Sequence, residues 1–209
     1  MKALTKEAQA AISPDKAIQL LKEGNERFVN NQQASRDLQE QVKDTTSGQH
    51  PHSVVLSCID SRVSAELVFD QGVGDIFSAR VAGNFVNEDI LGSIEYGCKV
   101  AGSKLVVVLG HTACGAVKGA CDDVRLGNIT TLVSKIRPAV AAVQNPSDPA
   151  KRTSSNLDFV NEVSKTNVQQ NIENMRDRST VLREMEQQGE IKIVGAMYDV
   201  ADGSVTFYY

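Results

Sequence analysis

The chain has 209 residues, 41% hydrophobic and 23% charged, with a formal net charge of −4. That length suits one domain with a sizeable core, and the composition excludes a disordered chain. With 26 acidic against 22 basic residues there is no cationic surplus to neutralise a nucleic-acid backbone. The longest apolar runs, such as Leu105–Leu109, fall far short of the roughly 20 residues that span a bilayer.

From the amino end, Met1 to Glu7 lacks the apolar core of a secretory signal, so a cytoplasmic location is expected. A trimmed signal with an added Met would look the same, so export is not excluded. The four cysteines, Cys58, Cys98, Cys114 and Cys121, are too sparse for a disulfide scaffold. They point to a reduced compartment. Ser13-Pro14-Asp15 predicts a helix start, with Ser13 as cap and Pro14 in the first turn. Ala17, Leu20, Leu21, Gly24 and Phe28 follow at helical spacing. Asn30 to Gly48 is polar and reads as irregular. Residues 1–48 are therefore expected to form an N-terminal helical arm, outside the core or packed on a partner subunit.

An α/β core is expected over 49–209, within a single domain. Ser53–Ser57, Asp75–Ala79, Lys104–Leu109 and Ile191–Ala196 are short apolar runs of the kind buried on both faces of a parallel sheet. Glu88–Ala101, Cys114–Val143 and Leu157–Gln188 read as mostly helical, with Pro138 ending or bending one helix. Asn145–Pro149 is a loop. Asp202-Gly203 is a turn, and Ser204–Tyr208 follows as an antiparallel strand. Strands alternating with helices predict a central, mostly parallel sheet flanked by helices.

In such sheets ligands bind beyond the carboxyl ends of the strands. The first strand runs into Cys58-Ile59-Asp60-Ser61-Arg62, and the third into His111-Thr112-Ala113-Cys114-Gly115. Two cysteines and a histidine suit Zn²⁺, and three protein ligands leave a fourth position open. In an extended chain Cys58, Asp60 and Arg62 point to one side. Asp60 could then bind the metal or hold a metal-bound water, and a bidentate pair with Arg62 would keep it off the metal. A structural ion pair beside a structural zinc is the plainer alternative. Cys98 and Cys121 read as buried packing residues. His50 and His52 read as exposed loop histidines, and Glu66, Asp70 and Asp75 as surface or helix-end charges.

Cys-x-Asp-x-Arg, followed about fifty residues later by His-x-x-Cys, resembles the paired motifs of the β-class carbonic anhydrases. The likeness continues through Arg80, Asn84, Gly92-Ser93-Ile94-Glu95-Tyr96 and Gly110 to Gly115. It is strong over Gln49 to Gly119. The resemblance implies reversible hydration of CO₂ to bicarbonate and a proton, by attack of zinc-bound hydroxide. It implies Cys58, His111 and Cys114 as ligands of one Zn²⁺ per subunit, with Asp60 and Arg62 as the catalytic dyad. Gln49, Phe77, Tyr96 and Gly115 match positions around the CO₂/bicarbonate pocket. A homodimer or homotetramer is implied, in which a neighbouring subunit completes each pocket. Carbon disulfide or carbonyl sulfide hydrolysis on the same scaffold is one alternative, and a non-catalytic zinc protein is another.

Two thiolates weaken the Lewis acidity of zinc. The water pKa is therefore expected at or above the value of about 7 seen with three histidines, and activity should rise with pH. In some family members a Trp three residues before the first cysteine helps to build a second, inhibitory bicarbonate pocket. Val55 stands at that position, and the chain has no Trp. Arg80 matches that pocket's arginine; its plainer reading is an ion pair or an interface contact. The expectation is an open site without the bicarbonate switch.

Overall fold

The computed structural model describes residues 2–208. Five strands form one sheet: β1 (Ser53–Ser57), β2 (Ile76–Arg80), β3 (Leu105–His111), β4 (Lys192–Tyr198) and β5 (Val205–Tyr208). Their order is β2-β1-β3-β4-β5. All neighbours are parallel except β4 and β5, which pair antiparallel. Every predicted strand is present, shifted by at most two residues at an end. Among the described residues no helix is long and apolar enough to cross a membrane.

The amino-terminal helices are α1 (Lys6–Ala10), α2 (Pro14–Val29), α3 (Leu38–Asp44) and α4 (Ala65–Val68). After β2 come α5 (Glu88–Glu95) and a π-helical turn over Tyr96–Val100. After β3 come α6 (Gly115–Cys121), α7 (Gly127–Ser134), α8 (Arg137–Ala142), α9 (Leu157–Arg178) and α10 (Thr180–Gln187). Ser13 caps α2 as expected, its hydroxyl accepting from the Lys16 N–H at 3.1 Å.

Side chains alternate across the sheet and divide the core in two. Val54, Leu56, Val106 and Val108 face α5, α9 and α10, meeting Ile94, Val168, Ile172 and Leu182. Val55, Leu105, Val107 and Leu109 face α2 and α4, meeting Ala17, Leu21, Val68 and Phe69. A third cluster lies among α6 to α9 and contains Cys58 and Cys114 with Phe85, Ile136, Phe159 and Val163.

Four expectations change. First, α2 is not outside the core, because Ala17 and Leu21 are fully buried against the chain's own sheet. Second, the 30–48 stretch holds α3, capped by the Asp37 carboxylate on the Glu40 N–H. That short helix buries only Gln41 and so has no apolar stripe to read. Third, Pro138 lies in the first turn of α8, where its missing N–H has no partner to lose, so it begins a helix. Fourth, His52 and Asp70 are buried. His52 bonds Ser53 Oγ and Gln71 Oε1, while Asp70 pairs with Arg27 and Arg36.

Helix α9 approaches β3 and β4 closely. A Cβ on Gly110 would lie 2.6 Å from Val168 Cγ2, and one on Gly195 would lie 2.7 Å from Val168 Cγ1. Two glycines on adjacent strands, offset by two positions in register, thus let α9 settle onto the sheet, which sets the helix relative to the loop after β3.

Candidate metal centre and active site

β1 and β3 are adjacent and in register, Ser57 opposite Leu109, so the loops that follow them leave the sheet together. The ligand atoms of Cys58, His111 and Cys114 all lie within 4.8 Å of one another, and all three residues are buried. The two sulfurs are 4.0 Å apart. Tetrahedral zinc with Zn–S bonds of about 2.3 Å sets its sulfurs about 3.8 Å apart, so the spacing fits.

The imidazole is prepared in the same sense. His111 is fully buried, and its Nδ1 donates to the Thr112 carbonyl at 2.9 Å. That bond places the proton on Nδ1 and turns the Nε2 lone pair toward the sulfurs. Among the described residues Nε2 has no hydrogen-bond partner. A buried acceptor without a partner is costly, and a metal ion among two thiols and this nitrogen removes the cost. Of the two thiols, Cys58 ionises first. The Cys114 thiol and the Gly83 N–H, at 3.4 Å, bond to its sulfur, and its pKa falls to about 4. The Cys114 thiol faces that thiolate in a buried setting, and its pKa is pushed up.

Asp60 stands beside this group, with Oδ2 4.0 Å from His111 Nε2. Arg62 holds the carboxylate by three bonds: N–H to Oδ1 at 3.0 Å, Nε to Oδ1 at 2.9 Å and Nη2 to Oδ2 at 2.8 Å. These bonds keep Asp60 ionised far below the usual carboxylate range. Gly115 follows Cys114 as the first residue of α6, with open space where a side chain would be.

The other three predicted pocket residues are elsewhere in the chain. Gln49 is exposed and precedes the amino end of β1, whereas Cys58 follows its carboxyl end. Phe77 and Tyr96 meet edge to face at 6.4 Å and line a surface recess of about 590 Å³ with Val54, Ser78 and Gly92. None of the residues lining that recess belongs to the Cys58–His111–Cys114 group.

Other residues support the centre without having been singled out for it. Arg80 donates to the Cys58 and Asp60 carbonyls at 2.9 and 2.8 Å. It thereby ties down the loop that carries both residues. Asn167 donates to the Gly83 carbonyl and Asn171 accepts from the Val86 N–H, so α9 holds the loop that reaches Cys58 sulfur. Asn161 accepts from the Ala113 N–H. Nothing local in the sequence marks these asparagines, which lie on a helix far along the chain.

Comparison with known proteins agrees with this geometry. The family profile described as carbonic anhydrase matches residues 53–205. Carbonic anhydrase 2 of Mycobacterium tuberculosis is 35% identical over 198 residues, covering 91% of each chain. The carbonic anhydrase of Mycolicibacterium smegmatis is 36% identical over 200 residues, covering 92% of each. In fold, the chain is similar to the β-carbonic anhydrase CafA of Aspergillus fumigatus. The TM-score is 0.69 at 22% identity, over 93% of this chain and 89% of that one. The chain belongs to the β-carbonic anhydrase family, zinc enzymes whose reaction is the hydration of CO₂.

Proposed function

We propose that Cys58, His111 and Cys114 hold one zinc ion per subunit and that Asp60 and Arg62 are the catalytic pair for CO₂ hydration. The observation that carries this reading is the His111 Nε2 lone pair, buried without a partner and set among two thiols. Zinc bound there supplies a Lewis acid that brings the pKa of a coordinated water down toward neutrality.

The chain's own residues supply the rest. Asp60 is acceptor-only, and Arg62 occupies both of its oxygens. Held in this way it can take a hydrogen bond from the attacking hydroxyl and aim it, while staying off the metal. Gly115 leaves room beside Cys114 for a small substrate. Gln49, Phe77 and Tyr96 act on the pocket of a neighbouring subunit, which is why one chain leaves them apart from its own Cys58. The enzyme is accordingly a homodimer or homotetramer, with the outer face of the amino-terminal segment available to the partner. None of the four cysteines is in a disulfide, in keeping with a cytoplasmic enzyme. Val55 is buried in the core and Arg80 is engaged with backbone carbonyls, so this reading includes no bicarbonate switch.

Stopped-flow CO₂ hydration by the zinc-loaded protein, scanned from mildly acid to alkaline pH, tests the reading. Fast turnover that rises smoothly with pH is expected. A steep cooperative loss below neutrality would overturn the unswitched site. No turnover at full zinc occupancy would overturn the catalytic assignment.

A further inference from the structure

Ala113 lies between two of the three ligand residues and has φ of 55°. A residue with a Cβ seldom holds this left-handed conformation unless its surroundings impose it. Here the restraint comes from outside the loop. The Ala113 N–H donates to Asn161 Oδ1 at 2.8 Å. Asn161 lies on α9, two turns before Val168, which is the residue seated against Gly110 and Gly195. The asparagine therefore reaches the loop from a rigid base.

The residue before Ala113 is pinned from the opposite side. The Thr112 N–H donates to the Tyr198 carbonyl at 3.0 Å, and its hydroxyl donates to Asp199 Oδ1 at 3.2 Å. The Val200 N–H donates to the same hydroxyl at 3.0 Å. Thr112 in turn fixes the His111 ring through its carbonyl. The end of β4 and the turn that follows it thus hold the histidine half of the loop, and Ala113 is the point at which the chain turns back to deliver Cys114. If Ala113 relaxed to an ordinary conformation, Cys114 would swing away from His111 and Cys58.

We infer that Asn161 is a positioning residue for the metal centre: by accepting from the Ala113 N–H it holds the left-handed turn that makes Cys114 converge with His111 and Cys58. The inference rests on the reading of those three residues as zinc ligands. Its role differs from packing, because it acts through one backbone conformation that glycine adopts without help.

The test compares zinc affinity, by competition with a chromophoric chelator, in wild type, Asn161→Ala, Asn161→Asp and the double variant Asn161→Ala/Ala113→Gly. The cobalt-substituted forms are followed by their d–d and thiolate charge-transfer absorption. Asn161→Ala should weaken zinc binding about ten- to hundredfold, the range that partners of metal-loop groups command. It should also shift the cobalt spectrum. Asn161→Asp keeps the acceptor oxygen and should bind as wild type does. Ala113→Gly in the Asn161→Ala background should recover most of the loss. Unchanged affinity and spectrum in Asn161→Ala would overturn the inference, as would a loss that Ala113→Gly does not recover or that Asn161→Asp shares. Failure of wild type itself to bind zinc would instead overturn the ligand assignment on which the inference stands.

Discussion

Arg62 grips Asp60 at both carboxylate oxygens and leaves Oδ2 4.0 Å from the unpartnered Nε2 of His111. The carboxylate is thus close to whatever the histidine would bind, and tethered by Arg62 rather than free to bind it as well. Asp60→Asn keeps the shape but presents an amide in place of an acceptor-only group. CO₂ hydration should fall about a hundredfold or more, the scale of losing a positioned proton acceptor. Zinc content, measured by atomic absorption, should stay at one per chain. Arg62→Ala should also lose rate, through release of the carboxylate rather than its removal.

Removal of the metal should affect stability as well as rate. Without it, His111 Nε2 remains a buried acceptor with no partner. Dialysis against a strong chelator should lower the unfolding temperature, and added zinc should restore it in a concentration-dependent way. His111→Ala and Cys114→Ser should abolish stoichiometric binding. The same scan on His111→Ala should show no response to chelator.

Acidification should destabilise the protein in two stages. Burial holds the His52 pKa below its ordinary 6.5, so the folded state takes up its proton later than the unfolded chain does. This stabilisation is complete above about pH 6.5 and is lost as pH falls below it, at up to about 1.4 kcal/mol per pH unit. Asp70 is buried, which opposes ionisation, but Arg27 and Arg36 outweigh this and lower its pKa below 3.8. Its contribution is complete above that value and erodes as pH falls through the lower folded one. Urea unfolding of His52→Gln should lack the first decline.

Asp70→Asn should be costly at neutral pH. The wild-type carboxylate is almost fully buried between Arg27 and Arg36, and it also accepts from the Ala34 N–H. Its neutralisation leaves two partly or fully buried guanidinium groups short of a counter-charge, at a cost of about 3–5 kcal/mol. Denaturant midpoints at pH 7 should separate the two proteins widely, and the gap should narrow toward pH 3.

Gly24→Ala should be among the most damaging single changes. A Cβ there would lie 1.8 Å from the Phe69 carbonyl oxygen, where α2 packs against the end of α4. Backbone cannot give way as a side chain can, so the helix must lift from the sheet, at a cost of about 3 kcal/mol or more. A thermal melt of the purified variant checks this.

The sequence by itself determined the architecture and the chemistry. Apolar runs such as Leu105–Leu109 can bury both faces only within a helix-covered parallel sheet, and such a sheet brings the ends of adjacent strands together. Scarce residue types at two such ends, Cys58 with Asp60 and Arg62, and His111 with Cys114, were therefore legible as one site. The tertiary structure alone decided what has no local pattern. His52 and Asp70 look like ordinary surface residues until Gln71, Arg27 and Arg36 are folded around them. The polar stretch before β1 hides α3, since a helix without an apolar face leaves no periodic trace. Asn161 meets Ala113 from 48 positions further along the chain. Only the seating of α9 on Gly110 and Gly195 places that side chain against the loop that carries His111 and Cys114, because long-range packing, unlike strand and helix periodicity, is not written in neighbouring residues.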